Sequence, residues 1–168
     1  MLAYARLLED APSRRYTVAV INRDTGSLVL PDLTIDHEVS RSSYLSSPPG
    51  AQARCDDVHG GRMTVRLGPR LLDGAAFVFH LHFEGERLHG YSLSLSDARY
   101  GSSWDDWSEE KELARRGAHD TWLIAALGEG QREASPRGPE LRYALPWGEV
   151  WSTFDAIGGS SSIVVRFR

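Results

Sequence analysis

The chain has 168 residues, 41% apolar and 25% charged, an ordinary composition for one soluble globular domain with its own core. A net charge of −4 excludes a large basic surface for nucleic-acid phosphates, and no apolar run approaches the ~20 residues of a membrane span. The single cysteine, Cys55, cannot form an internal disulfide, so we expect a cytoplasmic protein.

The N-terminal third predicts short elements joined by turns. We expect a short helix over residues 2–9, a strand over Tyr16–Asn22, and extended pieces over Leu28–Leu30 and Leu33–Val39. Residues 40–61 are rich in Ser, Pro and Gly, which predicts a long surface loop.

The clearest strand is FVFHLHFE, Phe77–Glu84, which follows another predicted strand over Met63–Leu67. Side chains alternate along a strand, so one face carries Phe77, Phe79, Leu81 and Phe83 and the other carries Val78, His80 and His82. The segment Leu88–Leu95 is its natural partner.

A long helix is predicted from just after Trp104 to Leu127, with Gly128 ending it in a left-handed conformation. Either Ser108, or Ser103 together with Asp106, caps its start. A helical wheel gathers one apolar side that we expect to face the sheet: Leu113, Ala114, Gly117, Thr121, Ile124, Ala125 and Leu127. Glu110 lies near the middle of this side, whereas Glu109, Glu112, Arg115, Arg116 and His119 lie towards solvent.

The remainder predicts a second surface loop over residues 128–139, a strand over Leu141–Leu145, and a closing hairpin. The hairpin pairs Glu149–Phe154 with Ser162–Phe167 around the turn DAIGGS. About seven short strands and one helix indicate a single α+β domain over residues 1–168. In it, one antiparallel β-sheet has one long α-helix packed on one face.

Three histidines are candidate metal ligands, because His80 and His82 share a strand face and His89 lies on the partner strand. The pairing register decides whether His89 can join them. Pairing Phe77 with Leu95, Phe79 with Leu93, Leu81 with Tyr91, and Phe83 with His89 buries one continuous apolar face. This register is favoured and predicts that His89 lies on the other face, so we expect no metal site and no cofactor.

A catalytic nucleophile is not indicated. Cys55 has His59 four residues away, but Asp56 and Asp57 beside it raise a thiol pKa instead of lowering it. No G-x-S-x-G, G-x-x-x-x-G-K or H-E-x-x-H motif is present. The glycine–serine run 158–162 lacks a following helix and a lysine, and a hairpin turn explains it better.

The stretch WDDWSEE places Trp104 and Trp107 among Asp105, Asp106 and Glu109. Carboxylates are typical of a helix N-terminus, but exposed tryptophan ringed by acids is also typical of a binding hot spot for a basic partner. A second aromatic and acidic segment, PWGEVWSTFD, carries Glu149 and Trp151. If the two segments meet, they form one acidic, aromatic surface.

The segments SSWDDWSEEKELARRGAHDTWLIAALG and WGEVWSTFDAIGGSSSIVVRF resemble small bacterial proteins, some of which act as immunity partners of polymorphic or secreted toxins. The resemblance covers residues 100–168 and implies a protein partner, without assigning a role to any residue.

The leading hypothesis is a non-enzymatic immunity protein that neutralises a basic toxin domain. Its predicted partner-binding residues are Trp104, Asp105, Asp106, Glu109, Glu149 and Trp151. The alternative is a small hydrolase or metal-dependent enzyme that uses His80 and His82, with Glu84 or Ser92. A third hypothesis is a subunit that self-associates through a sheet edge or face, so the chain is a monomer or a homodimer.

Overall fold

The computed structural model describes residues 21–168 apart from residues 59, 102 and 137. The predicted helix over residues 2–9 and most of the predicted strand over residues 16–22 lie outside the described residues. Within the described part, the chain is an α+β fold with a large antiparallel sheet and one long helix, as predicted.

The main sheet has eight strands in the described residues, in the order β3-β4-β5-β6-β10-β9-β8-β7. They are β3 (Arg54–Val58), β4 (Arg62–Leu72), β5 (Ala75–Glu84), β6 (Arg87–Leu95), β7 (Gln131–Glu133), β8 (Glu140–Leu145), β9 (Gly148–Asp155) and β10 (Ser160–Phe167). The prediction of a single sheet is wrong in one respect, because β1 (Leu28–Leu30) and β2 (Leu33–Ile35) form a separate two-stranded ribbon.

One face of the main sheet is apolar and forms the core. On β5 the side chains alternate as predicted, and the face that bears Phe77, Phe79, Leu81 and Phe83 is buried. We call this the inner face, and we call the face with His80 and His82 the outer face. The β1–β2 ribbon and the long helix contribute to the same core as the inner face.

The pairing of β5 with β6 follows the predicted register for three of the four apolar pairs. Phe77 lies opposite Leu95, Phe79 opposite Leu93, and Leu81 opposite Tyr91. The fourth prediction is wrong, because Phe83 lies opposite Leu88. His89 is an extra residue, a β-bulge, in β6. The bulge shifts the register by one residue, so the apolar pairing and a two-residue turn at Gly85 and Glu86 occur together.

The predicted surface loop over residues 40–61 instead contains α1 (Arg41–Leu45), α2 (Pro48–Ala51) and strand β3. The serines that suggested a loop are N-caps: Ser40 accepts a hydrogen bond from Ser43 N at 3.1 Å, and Ser47 accepts one from Gly50 N at 3.3 Å. Tyr44 of α1 is buried in the core, which fixes the segment on the sheet. The second predicted loop, residues 128–139, contains the short exposed edge strand β7.

The long helix α3 (Glu109–Leu127) begins after a short 3₁₀ turn, Trp104–Asp106. Of the two predicted caps, Ser108 is the N-cap and accepts from Lys111 N at 3.2 Å. Gly128 ends the helix with a positive φ of 81°. None of the described helices is long and apolar enough to cross a membrane.

The predicted inward side of α3 is wrong. Of the side chains expected to face the sheet, Leu127 is buried, Leu113 and Ile124 are half-buried, and the others are exposed. Glu110, expected in the middle of the contact, is also exposed. The fully buried helix residues are Glu112, His119, Asp120, Leu123 and Leu127. The helix therefore packs on the sheet through a mixed side, in which the buried polar residues Glu112, His119 and Asp120 lie on the same side as the apolar Leu123 and Leu127.

Gly90 of β6 lies where the sheet leaves no room for a side chain. A Cβ atom there would lie 2.2 Å from the carbonyl oxygen of Val165 on β10. We expect Gly90→Ala to lower the free energy of unfolding by about 1–3 kcal/mol because the strands must move apart.

Gly117, exposed in the middle of α3, has no atom within 4 Å of an added Cβ. Gly117→Ala should therefore raise stability by about 0.5–1 kcal/mol. Urea unfolding measures both, and equal midpoints for the two variants would contradict this account.

Candidate functional site

Trp104 and Trp107 form an exposed aromatic pair beside the turn of the β9–β10 hairpin. Their rings are 6.4 Å apart, with Trp104 76% and Trp107 39% exposed. Trp107 Nε1 donates to the carbonyl oxygen of Gly159 at 2.6 Å. A Cβ added to Gly159 would lie about 3.5 Å from both indoles. We call Trp104, Trp107, Gly159 and the fully exposed Ile157 of the same turn the tryptophan patch.

Carboxylates adjoin the tryptophan patch. Asp105 and Asp106 are exposed in the 3₁₀ turn, and Glu109 and Glu110 begin α3. Lys111 forms an ion pair with Asp106 and also donates to its backbone carbonyl at 2.9 Å. Residues 103–111 thus hold four carboxylates and one lysine, which makes this edge of the molecule acidic.

The predicted residues Glu149 and Trp151 lie elsewhere, on the outer face of β9. Glu149 is at the end of β9 that is remote from the hairpin turn, about six residues or roughly 20 Å from Asp155. The Trp151 ring contacts two guanidinium groups, those of Arg142 at 5.3 Å and Arg166 at 5.0 Å. The segment with Trp104 and Trp107 therefore contacts the hairpin turn at Gly159, whereas Trp151 has basic neighbours on the outer face.

Ile157 and Gly159 are site residues that the sequence analysis missed. The signal was present, because a large apolar residue in the middle of the polar turn DAIGGS has no core to enter. The contact of Gly159 with Trp104 and Trp107 joins residues about fifty positions apart in the chain, which no local pattern reveals.

The three histidines share the outer face, contrary to the prediction for His89. The bulge turns the exposed His89 side chain towards His82, and both line one open cleft. Thr64 Oγ1 lies 3.3 Å from His82 Nδ1, and Ser92 Oγ lies 3.1 Å from His82 Nε2. Within the described residues, no group of three His, Cys, Asp or Glu side chains could hold a metal ion.

The Ser92–His82 contact is the closest approach to a catalytic pair in the described residues. Burial, with the neighbouring imidazoles of His80 and His89, lowers the pKa of His82 to about 4, which makes it a weak base. Its second ring nitrogen contacts the Thr64 hydroxyl where a serine hydrolase has a carboxylate. The Thr64–His82–Ser92 contacts are therefore better explained as an ordered row of polar groups than as an activated serine nucleophile.

The other candidate nucleophile, Cys55, is exposed on the edge strand β3, and its proposed partner His59 lies outside the described residues. The glycine–serine run forms the β9–β10 hairpin turn, as expected.

Comparison with known proteins gives one structural likeness. No family model and no curated protein matches the chain. Among solved structures, it is similar to one chain of "Rhs1-CT in complex with cognate immunity protein RhsI1", with a TM-score of 0.49 and 10% identity. The match covers 86% of this chain and 83% of that chain. This likeness concerns the course of the chain alone.

Proposed function

We propose that this chain is a non-enzymatic, cytoplasmic immunity protein that neutralises a bacterial toxin by binding a basic surface of the toxin domain. The contact surface is the tryptophan patch with Asp105, Asp106 and Glu109. Glu149 and Trp151 on the outer face form a separate, secondary contact region. The activity requires no cofactor and no nucleic acid or membrane partner, and the chain acts as a monomer or a homodimer.

The observation that carries the proposal is the exposure of the tryptophan patch. Five large apolar side chains are exposed in the described part of the chain, and the patch holds three of them: Trp104, Trp107 and Ile157. Exposed indoles in a fixed position are typical of binding hot spots, because they bury a large area at a small loss of conformational entropy. The Trp107–Gly159 hydrogen bond holds the Trp107 indole in place before any partner binds.

The charge around the patch determines the kind of partner. Asp105 and Asp106 lie between the two tryptophans in the chain and Glu109 follows them, so a partner with lysine or arginine beside an apolar pocket is complementary. Such a cluster of negative charge accelerates association with a basic partner and suppresses acidic partners. Many toxins that act on nucleic acids or phosphates need basic active sites, and such a site fits this surface.

Trp104→Ala tests the contact directly. We expect it to weaken binding to the toxin domain encoded by the adjacent gene by about 2 kcal/mol, or roughly thirtyfold, as for an interface hot spot. The unfolding midpoint should remain unchanged because Trp104 is exposed. Titration calorimetry measures the affinity, and growth of cells that co-express both proteins measures neutralisation.

Leu71→Ala is the matched control, since Leu71 is 69% exposed on β4, which lies three strands away from β10 in the sheet. The electrostatic counterpart is Asp105→Lys with Asp106→Lys, compared with Asp24→Lys with Glu38→Lys, which changes the net charge equally at exposed positions elsewhere. Equal affinity for the patch variants and their controls would exclude this surface. Absence of any complex with the adjacent gene product would count against the immunity function itself.

A further inference from the structure

The outer face carries an open cleft at the end of the sheet remote from the tryptophan patch. Its volume is about 340 Å³, and its polar lining comes from Arg62, Thr64, His82, Glu84, His89 and Arg166. These residues belong to four adjacent strands, β4, β5, β6 and β10. Along β10, Arg166 lies about six residues, or roughly 20 Å, from Ser160 beside the hairpin turn. The cleft is therefore separate from the tryptophan patch, although Arg166 stacks on Trp151 of the secondary contact region.

The floor of the cleft is a fixed row of polar groups. Both ring nitrogens of His82 contact hydroxyl oxygens, Thr64 on β4 and Ser92 on β6. Because burial lowers the pKa of His82, the ring is neutral at pH 7. The row of polar groups is ordered and adds no charge to the cleft. The charged groups at the rim therefore determine which ligand binds.

The rim is basic in a protein whose net charge is −4. Arg166 stacks on the Trp151 ring at 5.0 Å, and the described residues include no ion pair to it. Arg62 is 3.6 Å from Glu84, the one carboxylate in the lining. Two guanidinium groups therefore face one carboxylate across the cleft, and the stacking on Trp151 presents the Arg166 guanidinium as a flat donor.

The bulge at His89 adds a third donor. In a regular strand, adjacent residues point to opposite faces, so His89 would point away from His82 and Gly90. The extra residue brings the exposed His89 side chain to the same cleft. Bulges commonly re-aim a side chain at a functional position, and here the re-aimed group is an imidazole beside two arginines.

We propose that this cleft binds the phosphate group of a small phosphorylated molecule. Arg166 and Arg62 donate to the phosphate oxygens, His89 closes the rim, and Glu84 accepts a hydroxyl of the remaining part. Guanidinium groups match phosphate oxygens with paired donors, and 340 Å³ exceeds the space that a phosphate alone needs. A long polyanion is disfavoured because the chain as a whole is acidic.

The test titrates the purified chain with inorganic phosphate and with ribose 5-phosphate, followed by calorimetry and by NMR of the His82 and His89 ring protons. We expect ribose 5-phosphate to bind more tightly than inorganic phosphate. Arg166→Gln should weaken binding by about tenfold or more, the usual effect of losing a charged hydrogen bond. Glu84→Gln should strengthen the binding of inorganic phosphate, since Arg62 is then released from its carboxylate. Arg99→Gln removes the same charge from a remote site and should change nothing.

The opposite signs expected for Arg166→Gln and Glu84→Gln keep the test decisive even if one variant is unstable. No binding of either probe, or equal effects of Arg166→Gln and Arg99→Gln, would overturn the site. Acetate binding as tightly as phosphate would overturn the phosphate assignment. Equal affinity for inorganic phosphate and ribose 5-phosphate would overturn the small-molecule ligand. Trp104→Ala should leave phosphate binding unchanged, so the failure of the phosphate site is distinguishable from the failure of the tryptophan patch.

Discussion

Glu112→Ala is expected to lower the free energy of unfolding by about 3–5 kcal/mol, as is usual when one partner of a buried ion pair is removed. Glu112 lies on the buried side of α3, and its Oε1 accepts from Arg115 Nη1 at 2.5 Å. Its Oε2 accepts from the backbone amide of Ser161 at 2.7 Å. Alanine leaves both the Arg115 guanidinium and the Ser161 amide without this acceptor.

The same network fixes the helix to the hairpin that supports the tryptophan patch. Ser161 Oγ donates to the carbonyl oxygen of Glu112 at 2.6 Å, and Ser161 lies two residues after Gly159. Arg115 also donates to the carbonyl oxygens of Tyr100 and Gly101, at 2.9 and 3.1 Å, just before the 3₁₀ turn. Glu112 therefore positions Trp104 and Trp107 relative to the β9–β10 turn.

Urea unfolding at pH 7 measures the effect of Glu112→Ala. Glu112→Gln keeps an acceptor for Ser161 but loses the charge, so its effect should be intermediate. Glu110→Ala is the matched control, because Glu110 is exposed two residues earlier on the same helix and should change stability by less than about 0.5 kcal/mol. If Glu112→Ala is no more destabilising than Glu110→Ala, the buried network does not hold the helix on the sheet.

The strands were predictable wherever burial enforces strict alternation. Phe77, Phe79 and Leu81 determine both the inner face of β5 and its register with β6, because any other pairing exposes large apolar groups. The bulge at His89 was not predictable from that rule. In a regular hairpin, the apolar pairing and a two-residue turn require different registers. The folded structure shows that one extra residue in β6 makes them compatible.

The predicted orientation of α3 is wrong because a helical wheel assumes that apolar residues are buried and that polar residues are exposed. The strands present polar groups to the helix, namely the Ser161 amide and hydroxyl and the Leu95 amide. These groups need acceptors, and Glu112 and His119 supply them at positions that the wheel assigned to solvent. Partners between 24 and 49 residues away decide which side of the helix faces inward, and local periodicity contains no information about them.

The candidate site was predictable only in its local part. Trp104, Asp105, Asp106 and Glu109 lie together because they are nearly consecutive. The hairpin turn joins them through the Trp107–Gly159 contact, which needs the folded sheet. Trp151 was grouped with them by composition, but alternation along β9 places it on the outer face beside Arg142 and Arg166.

The buried His119 should make the protein acid-labile. Its Nε2 accepts a hydrogen bond from the backbone amide of Leu95 at 3.0 Å, so in the neutral ring the proton is on Nδ1. Protonation would place a second N–H against the Leu95 N–H. Burial, together with the nearby Arg115, lowers the pKa of His119 from 6.5 to about 3.

Because the unfolded chain protonates His119 near pH 6.5 and the folded chain only near pH 3, the unfolded state binds more protons between these values. The stabilisation is complete above pH 6.5 and is lost as the pH falls, by about 1.4 kcal/mol for each pH unit. His119→Gln retains an acceptor for the Leu95 amide and removes the titration, so its stability should fall less steeply between pH 6.5 and pH 4. His37→Gln, at an exposed histidine, should keep the steep wild-type dependence. Urea midpoints measured across this pH range decide the question: if the His119→Gln and wild-type curves run parallel, acid sensitivity arises at other groups.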